Sequence, residues 1–167
     1  MLTVGQIKSL LDLQPHPVEG GCFRETYRSS ERLPGESLPA GCGGPRSLAT
    51  AIYYLLTPET FSAMHRLPSD EVFHHYVGDP VEMLQLRPDG SGAIVVLGSD
   101  IIAGMRPQIV VPKGVWQGAK LRSGGRFALL GTTVSPGFDF QDYESGHRDE
   151  LARLYPQFQE LIAALTR

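Results

Sequence analysis

Three of the chain's five histidines fall within eleven residues of one stretch, FSAMHRLPSDEVFHHYVGD, which runs from Phe61 to Asp79 and also holds Asp70 and Glu71. Imidazoles beside carboxylates suit two chemistries. Two histidines and one carboxylate bind divalent metals. The same groups without metal transfer protons, because a carboxylate tunes an imidazole's pKa and holds one tautomer. Side-chain direction separates the candidates, since successive residues of a strand point to opposite faces. In EVFHHYV, Glu71, Phe73 and His75 share one face, and Val72, His74 and Tyr76 the other. In FSAMHRL, His65 goes with Phe61, Ala63 and Leu67, the more apolar set, which turns it inward and away from Ser62, Met64 and Arg66. If both faces line one interior, His65, Glu71 and His75 converge and His74 drops out. The alternative is that His65 and His75 are hydrogen-bonded interior residues with no reaction to perform.

Two further stretches add polar groups. In VVPKGVWQGAKL, Pro112 and Gly114 make a tight turn that delivers Trp116 and Gln117 to opposite faces of the next strand. Trp116 there is a packed or ligand-stacking residue, and Gln117 a neutral hydrogen-bonding group that can orient a polar ligand. In HPVEGGCFRETYRS, Glu19, Arg24, Glu25, Tyr27 and Arg28 are unusually dense for one strand. Arg24 and Arg28 could grip a carboxylate or phosphate in forked geometry, or the run could be a surface ion-pair ladder. In SPGFDFQDYE, Phe138 and Phe140 alternate with polar residues, and Asp139 and Asp142 suit turn capping or pairing with arginines.

The elements that must hold these groups are mostly strands. From Ser47 onward short runs rich in Val, Ile, Leu, Tyr and Phe recur: SLATAIYYLLT, FSAMHRL, EVFHHYV, VEMLQLR, AIVVL, QIVV, WQGAKL and FALLGTTVS. Turn-forming segments such as PSD, GDP, PDGSG and PKGV separate them, a pattern that predicts an all-β sandwich or barrel. Thr3 and Gln6 form a capping box that predicts a helix over residues 3–13, and helical spacing returns near the C-terminus with Pro156 breaking it. Residues 31–46, rich in Gly and Pro, are expected to be a mobile loop.

At 167 residues and 41 % hydrophobic, residues 1–167 are expected to form one domain. With 15 Lys and Arg against 18 Asp and Glu, the net charge of −3 offers no basic surplus for nucleic acid. Cys22 and Cys42 are too few for a disulfide framework and lack metal-binding spacing, which points to a reducing compartment. No basic-then-apolar leader and no run of about eighteen apolar residues occurs, so a cytoplasmic protein without a membrane partner is expected.

Glu71 to Gly78 and PKGVWQ resemble the two motifs of the cupin superfamily, G-x5-H-x-H-x3,4-E-x6-G and P-x-G-x2-H-x3-N. Counting back from Glu71 puts Met64 and Arg66 at the two histidine positions, with His65 between them, and Gln117 replaces the histidine of the second motif. The usual three-His-one-Glu metal set is thereby reduced to Glu71, and His65 needs a one-residue shift to join it. LDLQPHPVEGGCFRETYRS, SAMHRLPSDEVFHHYVGDP, VVPKGVWQGA and TVSPGFDFQDYESG together resemble one branch, the Cupin_5 (DUF985) family, across residues 10–146. The resemblance implies an all-β double-stranded β-helix, the cupin jelly-roll barrel, with short N- and C-terminal helices. It also implies a ligand cavity at one mouth and a homodimer paired through extended N-terminal strands. The family is structurally similar to cupin sugar-nucleotide epimerases, which use a histidine base and a tyrosine acid without an essential metal.

Three functions follow. The first is binding, with proton-transfer isomerisation or epimerisation, of a small sugar- or nucleotide-like metabolite. There His65 is the base, Glu71 or His75 orients it, Tyr53 or Tyr54 is the acid, and Gln117, Tyr53, Arg24, Glu25 and Trp116 are ligand contacts. The second is a metal-dependent oxygenase or isomerase, with a divalent ion on His65, Glu71 and His75, joined by Gln117. The third is a binding module that senses or stores its ligand.

Overall fold

Apolar runs broken by Gly, Pro and Asp every few residues are too short to bury a face alone, so they pair and stack. In the computed structural model, which describes residues 2–38 and 42–167, all eight expected runs are strands. The chain opens with helix α1 (Val4–Leu10), where Thr3 and Gln6 form the expected capping box. Strands β1 (Gln14–Pro15), β2 (Cys22–Arg28), β3 (Arg32–Leu33) and β4 (Arg46–Ser47) follow. The main body comprises β5 (Thr50–Leu56), β6 (Phe61–Arg66), β7 (Asp70–Gly78), β8 (Val81–Leu86), β9 (Gly92–Leu97), β10 (Gln108–Val111), β11 (Trp116–Leu121) and β12 (Ala128–Ser135). The short β13 (Glu144–Ser145) leads to helices α2 (Arg148–Leu154) and α3 (Gln159–Ala164), separated by a 3₁₀ turn that Pro156 starts.

Two antiparallel sheets form the jelly roll. One runs β1-β2-β5-β12-β7-β10 and the other β13-β6-β11-β8-β9. Their facing sides enclose a core of Tyr54, Leu56, Phe73, Val81, Met83, Leu97, Ala119 and Leu130 among others, supplied by alternate residues as the strand period requires. On the outer side of the second sheet, Met64, Leu84, Leu86 and Trp116 lie under α2 and α3 through Leu151, Tyr155, Ile162 and Leu165. Helix α1 covers the outer side of the first sheet with Ile7, against Leu13, Cys22, Leu55 and Leu129. None of the described helices is long and apolar enough to cross a membrane.

The segment 31–46 is more ordered at its ends than a mobile loop would be. β3 pairs with β4, and Gly35–Ser37 form a 3₁₀ turn; residues 39–41 of the expected loop lie outside the described residues. The reason sits at Arg46. Its guanidinium, 3 % exposed, grips the buried Asp142 through two hydrogen bonds, Nε to Oδ2 at 2.7 Å and Nη2 to Oδ1 at 2.6 Å. Asp142 thus pairs with an arginine, and Asp139 caps the turn at Phe140–Asp142 by accepting from the Gln141 N–H, both as expected. Arg46→Ala would leave Asp142 buried without a counter-charge, at a cost of about 3–5 kcal/mol. At ~2–4 °C per kcal/mol for a chain of this size, a melting temperature lower by about 10 °C is expected. A variant melting with the wild type in calorimetry would show that the pair does not anchor this segment.

Candidate functional site

Regular alternation alone would not assemble the site; β-bulges do. On β7 the alternation is regular between Glu71 and His75, opposite Val134 and Leu130 of β12. Gln117 of β11 lies opposite His65 of β6, but Ala119 lies opposite Ser62, so β6 carries one extra residue there. A bulge of this kind resets which residues share a face. It puts Ser62 and His65 together on the interior side and leaves Phe61 and Met64 packed outside with the C-terminal helices. Ser62 was expected on the opposite face from His65; the extra residue is the reason it is not. Gly118, opposite the bulge, gives it room, since a Cβ there would lie 2.6 Å from the Met64 sulfur and 3.2 Å from the Ser62 carbonyl oxygen.

His65 and Glu71 meet through one amide. Gln117 Nε2 donates to Glu71 Oε2 at 2.6 Å and lies 3.3 Å from His65 Nε2. On the other side of the ring, His65 Nδ1 is 2.7 Å from the Ala63 carbonyl oxygen, which can only accept. His65 therefore carries its proton on Nδ1 and presents an unprotonated Nε2. The ring stacks on Tyr143 with centroids 4.7 Å apart. Burial lowers the His65 pKa, the charge of Glu71 opposing that shift, and burial raises Glu71 to about 7. The Gln117 carbonyl oxygen is buried without a hydrogen-bond partner among the described residues.

A second carboxylate comes from outside the barrel strands. The turn between β1 and β2, residues 16–21, folds over the edge of β6, with the Ala63 N–H donating to the Glu19 carbonyl oxygen at 3.0 Å. The Glu19 side chain accepts from the Ser62 hydroxyl and lies 4.0 Å from His65 Nε2. Burial raises its pKa. Gly20, at φ +106°, makes this approach possible, because a Cβ there would collide with the Phe61 carbonyl oxygen.

These groups open onto a cavity of about 190 Å³ whose wall includes His16, Glu19, His65, Glu71, Thr132 and Phe140. At its rim a bulge at Thr26 of β2 brings Glu25 and Arg28 to the same inward face. They pair with each other (Nε to Oε1 2.9 Å, Nη2 to Oε2 2.7 Å), and Arg28 also donates to the Phe138 carbonyl oxygen at 3.2 Å.

The other expected site residues fall elsewhere. His75 shares Glu71's face, as alternation requires. Four residues along the strand at ~3.3 Å each set it about 13 Å away beyond the buried Phe73, and its Nε2 lies 3.4 Å from the Asp79 carbonyl oxygen. Tyr53 and Arg24 face outward, Tyr53 against Tyr76 and Arg24 on the Leu11 carbonyl oxygen. Tyr54 points inward but is fully buried, its hydroxyl donating to the Gly20 carbonyl oxygen at 2.9 Å. Trp116 lies on the outer face, with the Arg66 guanidinium 4.5 Å from its ring. Of the expected set, His65, Glu71, Gln117 and Glu25 come to the cavity region. His16 was not singled out, nor was Glu19 set apart from its polar neighbours. Their signal was a histidine three residues before a glutamate and a Gly-Gly turn.

Residues 6–146 match the Cupin_5 family, cupin superfamily (DUF985). The chain belongs to this family. It is 32 % identical over 133 residues to the uncharacterized protein YML079W of Saccharomyces cerevisiae, a match covering 75 % of this chain and 66 % of the yeast protein. Protein SO0799 from Shewanella oneidensis, whose crystal structure is solved, is 35 % identical, with a TM-score of 0.88 over 100 % of this chain and 99 % of that one. Two more distant structures share the fold. A dTDP sugar isomerase from Desulfovibrio desulfuricans has a TM-score of 0.54 at 18 % identity, covering 80 % of this chain and 88 % of its own. An oxalate decarboxylase from Bacillus subtilis with Mn(II) centres has 0.55 at 14 %, covering 92 % and 37 %.

The donor set of this cupin does not fit a divalent ion. His65 Nε2 and Glu71 Oε2 both face the Gln117 amide nitrogen, so an N–H stands where a shared cation would sit. The third expected ligand, His75, is remote, and among the described residues no three His, Cys, Asp or Glu side chains are grouped to hold a metal.

The raised pKa of Glu71 makes stability depend on pH. Because the folded state holds this proton more tightly than the unfolded chain, the stabilisation is complete below the ordinary pKa of 4.5 and is lost as pH rises through about 7. Glu71→Gln keeps an acceptor for Gln117 but cannot ionise. Its melting temperature is expected to exceed the wild type's by several degrees at pH 8, with little difference at pH 5. A gain equal at both pH values would mean that the folded protein holds the Glu71 proton no more tightly than the unfolded chain does.

Proposed function

We propose that this cupin binds a small polar metabolite, sugar-like in size, and isomerises it by moving a proton between neighbouring atoms. The observation that carries the reading is the pairing of an unprotonated His65 Nε2 with a Glu71 carboxyl whose pKa stands at about 7, both on one cavity wall. A base should be unprotonated and an acid protonated at the working pH, and burial moves both groups that way. His65 Nε2 takes a proton from the carbon beside a carbonyl, and Glu71 exchanges one with the substrate oxygen.

The cavity supports the substrate class. About 190 Å³ lies below the ~300 Å³ at which pockets for drug-sized ligands begin, so it suits a single sugar ring or a smaller hydroxy-carbonyl compound. Because His65 and Glu71 hang on the same Gln117 nitrogen, they act from one side of the ligand. This favours isomerisation, with a proton removed and returned on one face, over inversion by groups on opposite faces. The fold shared with a dTDP sugar isomerase is consistent with that class.

Proton NMR in D₂O with a panel of aldose and ketose phosphates and dTDP sugars tests the reading. Wild-type protein should exchange deuterium into the carbon next to the carbonyl of at least one member, and His65→Ala should slow this by about 10²–10⁴-fold. Exchange unaffected by His65→Ala, or no exchange in any member, sinks the proposal.

A further inference from the structure

His16, 8 % exposed, sits in the turn before Glu19 with its ring packed against Phe23 at 4.7 Å, Phe140 at 5.8 Å and Tyr54 at 6.5 Å between centroids. Two backbone N–H groups donate to its Nδ1, that of Glu19 at 2.8 Å and that of Val18 at 3.4 Å. A nitrogen that accepts carries no proton, so the neutral ring holds its proton on Nε2. No acceptor for that proton occurs among the described residues, and His16 forms part of the cavity wall that His65 shares. The two histidines are thus held in opposite tautomers by backbone contacts. His65 gives its Nδ1–H to a carbonyl and keeps a lone pair on Nε2, where it faces the Gln117 N–H at 3.3 Å; His16 takes N–H groups at Nδ1 and keeps an N–H.

We propose that His16 is a second catalytic residue, a neutral hydrogen-bond donor that polarises the substrate carbonyl while His65 removes the neighbouring proton. This rests on the proton-transfer reading above and adds to it the group that stabilises the developing oxyanion. The step balances within the substrate. The C–H proton goes to His65 Nε2, its electron pair becomes a C=C bond, and the carbonyl π pair moves onto the oxygen, where the His16 Nε2–H receives it. His65 then returns the proton to the former carbonyl carbon while Glu71 gives its proton to the first oxygen and takes one from the neighbouring hydroxyl, which becomes the new carbonyl. A neutral imidazole suits the role because it can donate without giving its proton away. Burial among the aromatic rings lowers its pKa, and His65 and Arg167, the latter donating to the Val18 carbonyl oxygen at 2.8 Å, add to that shift against the opposing charge of Glu19.

Two measurements test it. Long-range ¹H–¹⁵N correlation spectra of the histidine-labelled full chain at neutral pH should show His16 neutral and protonated at Nε2, and His65 protonated at Nδ1. His16 protonated at Nδ1, or at both nitrogens, overturns the assignment, and this measurement needs no variant to fold. In the exchange assay, His16→Asn places an amide oxygen where Nδ1 accepts the turn's N–H groups but leaves no donor facing the cavity. It should lower kcat by about 10²-fold with KM changed little. His16→Gln, whose amide nitrogen reaches the Nε2 position, should recover roughly tenfold of that loss. Wild-type exchange that depends on His65 but is unchanged in His16→Asn overturns the role of His16 alone. No exchange by the wild type overturns it together with the proton-transfer reading.

Discussion

Inside this barrel two ionisable groups, His65 and Glu71, are shut away from water, and a buried polar group without a partner costs about 1–3 kcal/mol. The Gln117 amide nitrogen answers for both, donating to the carboxylate and facing the unprotonated ring nitrogen. The rest of the site depends on that shared contact. It fixes the distance between the carboxyl and the imidazole, puts them on one wall, and occupies the point a bridging cation would need. Gln117 is also a neutral group at the place where the cupin motif has a histidine, and with Met64 and Arg66 at the other two histidine positions the usual metal ligands are replaced at all three.

The backbone meets the same demand by irregularity. A perfect strand delivers every second residue to the interior, which cannot put Ser62 with His65 or Glu25 with Arg28. The bulges on β6 and β2 each add one residue and bring both members of each pair inward. On β6 the bulge also supplies the one-residue shift by which His65, and not Met64 or Arg66, faces the cavity. The turn at residues 16–21 completes the set from the edge, carrying Glu19 and His16 across a gap that only glycine at position 20 permits. Backbone hydrogen bonds then give the two histidines opposite tautomers, and hence opposite capacities, although their side chains are identical.

The strand runs, the α1 capping box, the Pro156 break and the inward direction of Gln117 were all legible in the residues, because each depends on local periodicity, turn chemistry or capping. The jelly roll and the family were legible through motifs ordered along most of the chain. The site was legible in part. Alternation correctly put Glu71 and His75 on one face, while His65 came inward through a bulge that leaves Phe61, its expected companion, outside; and sharing a face is not sharing a place. His75 is remote because distance along a strand grows with every residue, and Tyr53 and Arg24 face outward because their registers with neighbouring strands decide their side.

What the sequence by itself determined is therefore the set of strands and the chemical types available along them. These follow from short-range preferences and a two-residue period. What only the tertiary structure decided is which groups meet: the bulges that change parity, the turn that brings Glu19 and His16 over the barrel edge, and the backbone partners that choose each tautomer. All of these depend on contacts between residues far apart in the chain, such as Glu19 with Ser62 and His65 with Gln117, and no local pattern encodes them.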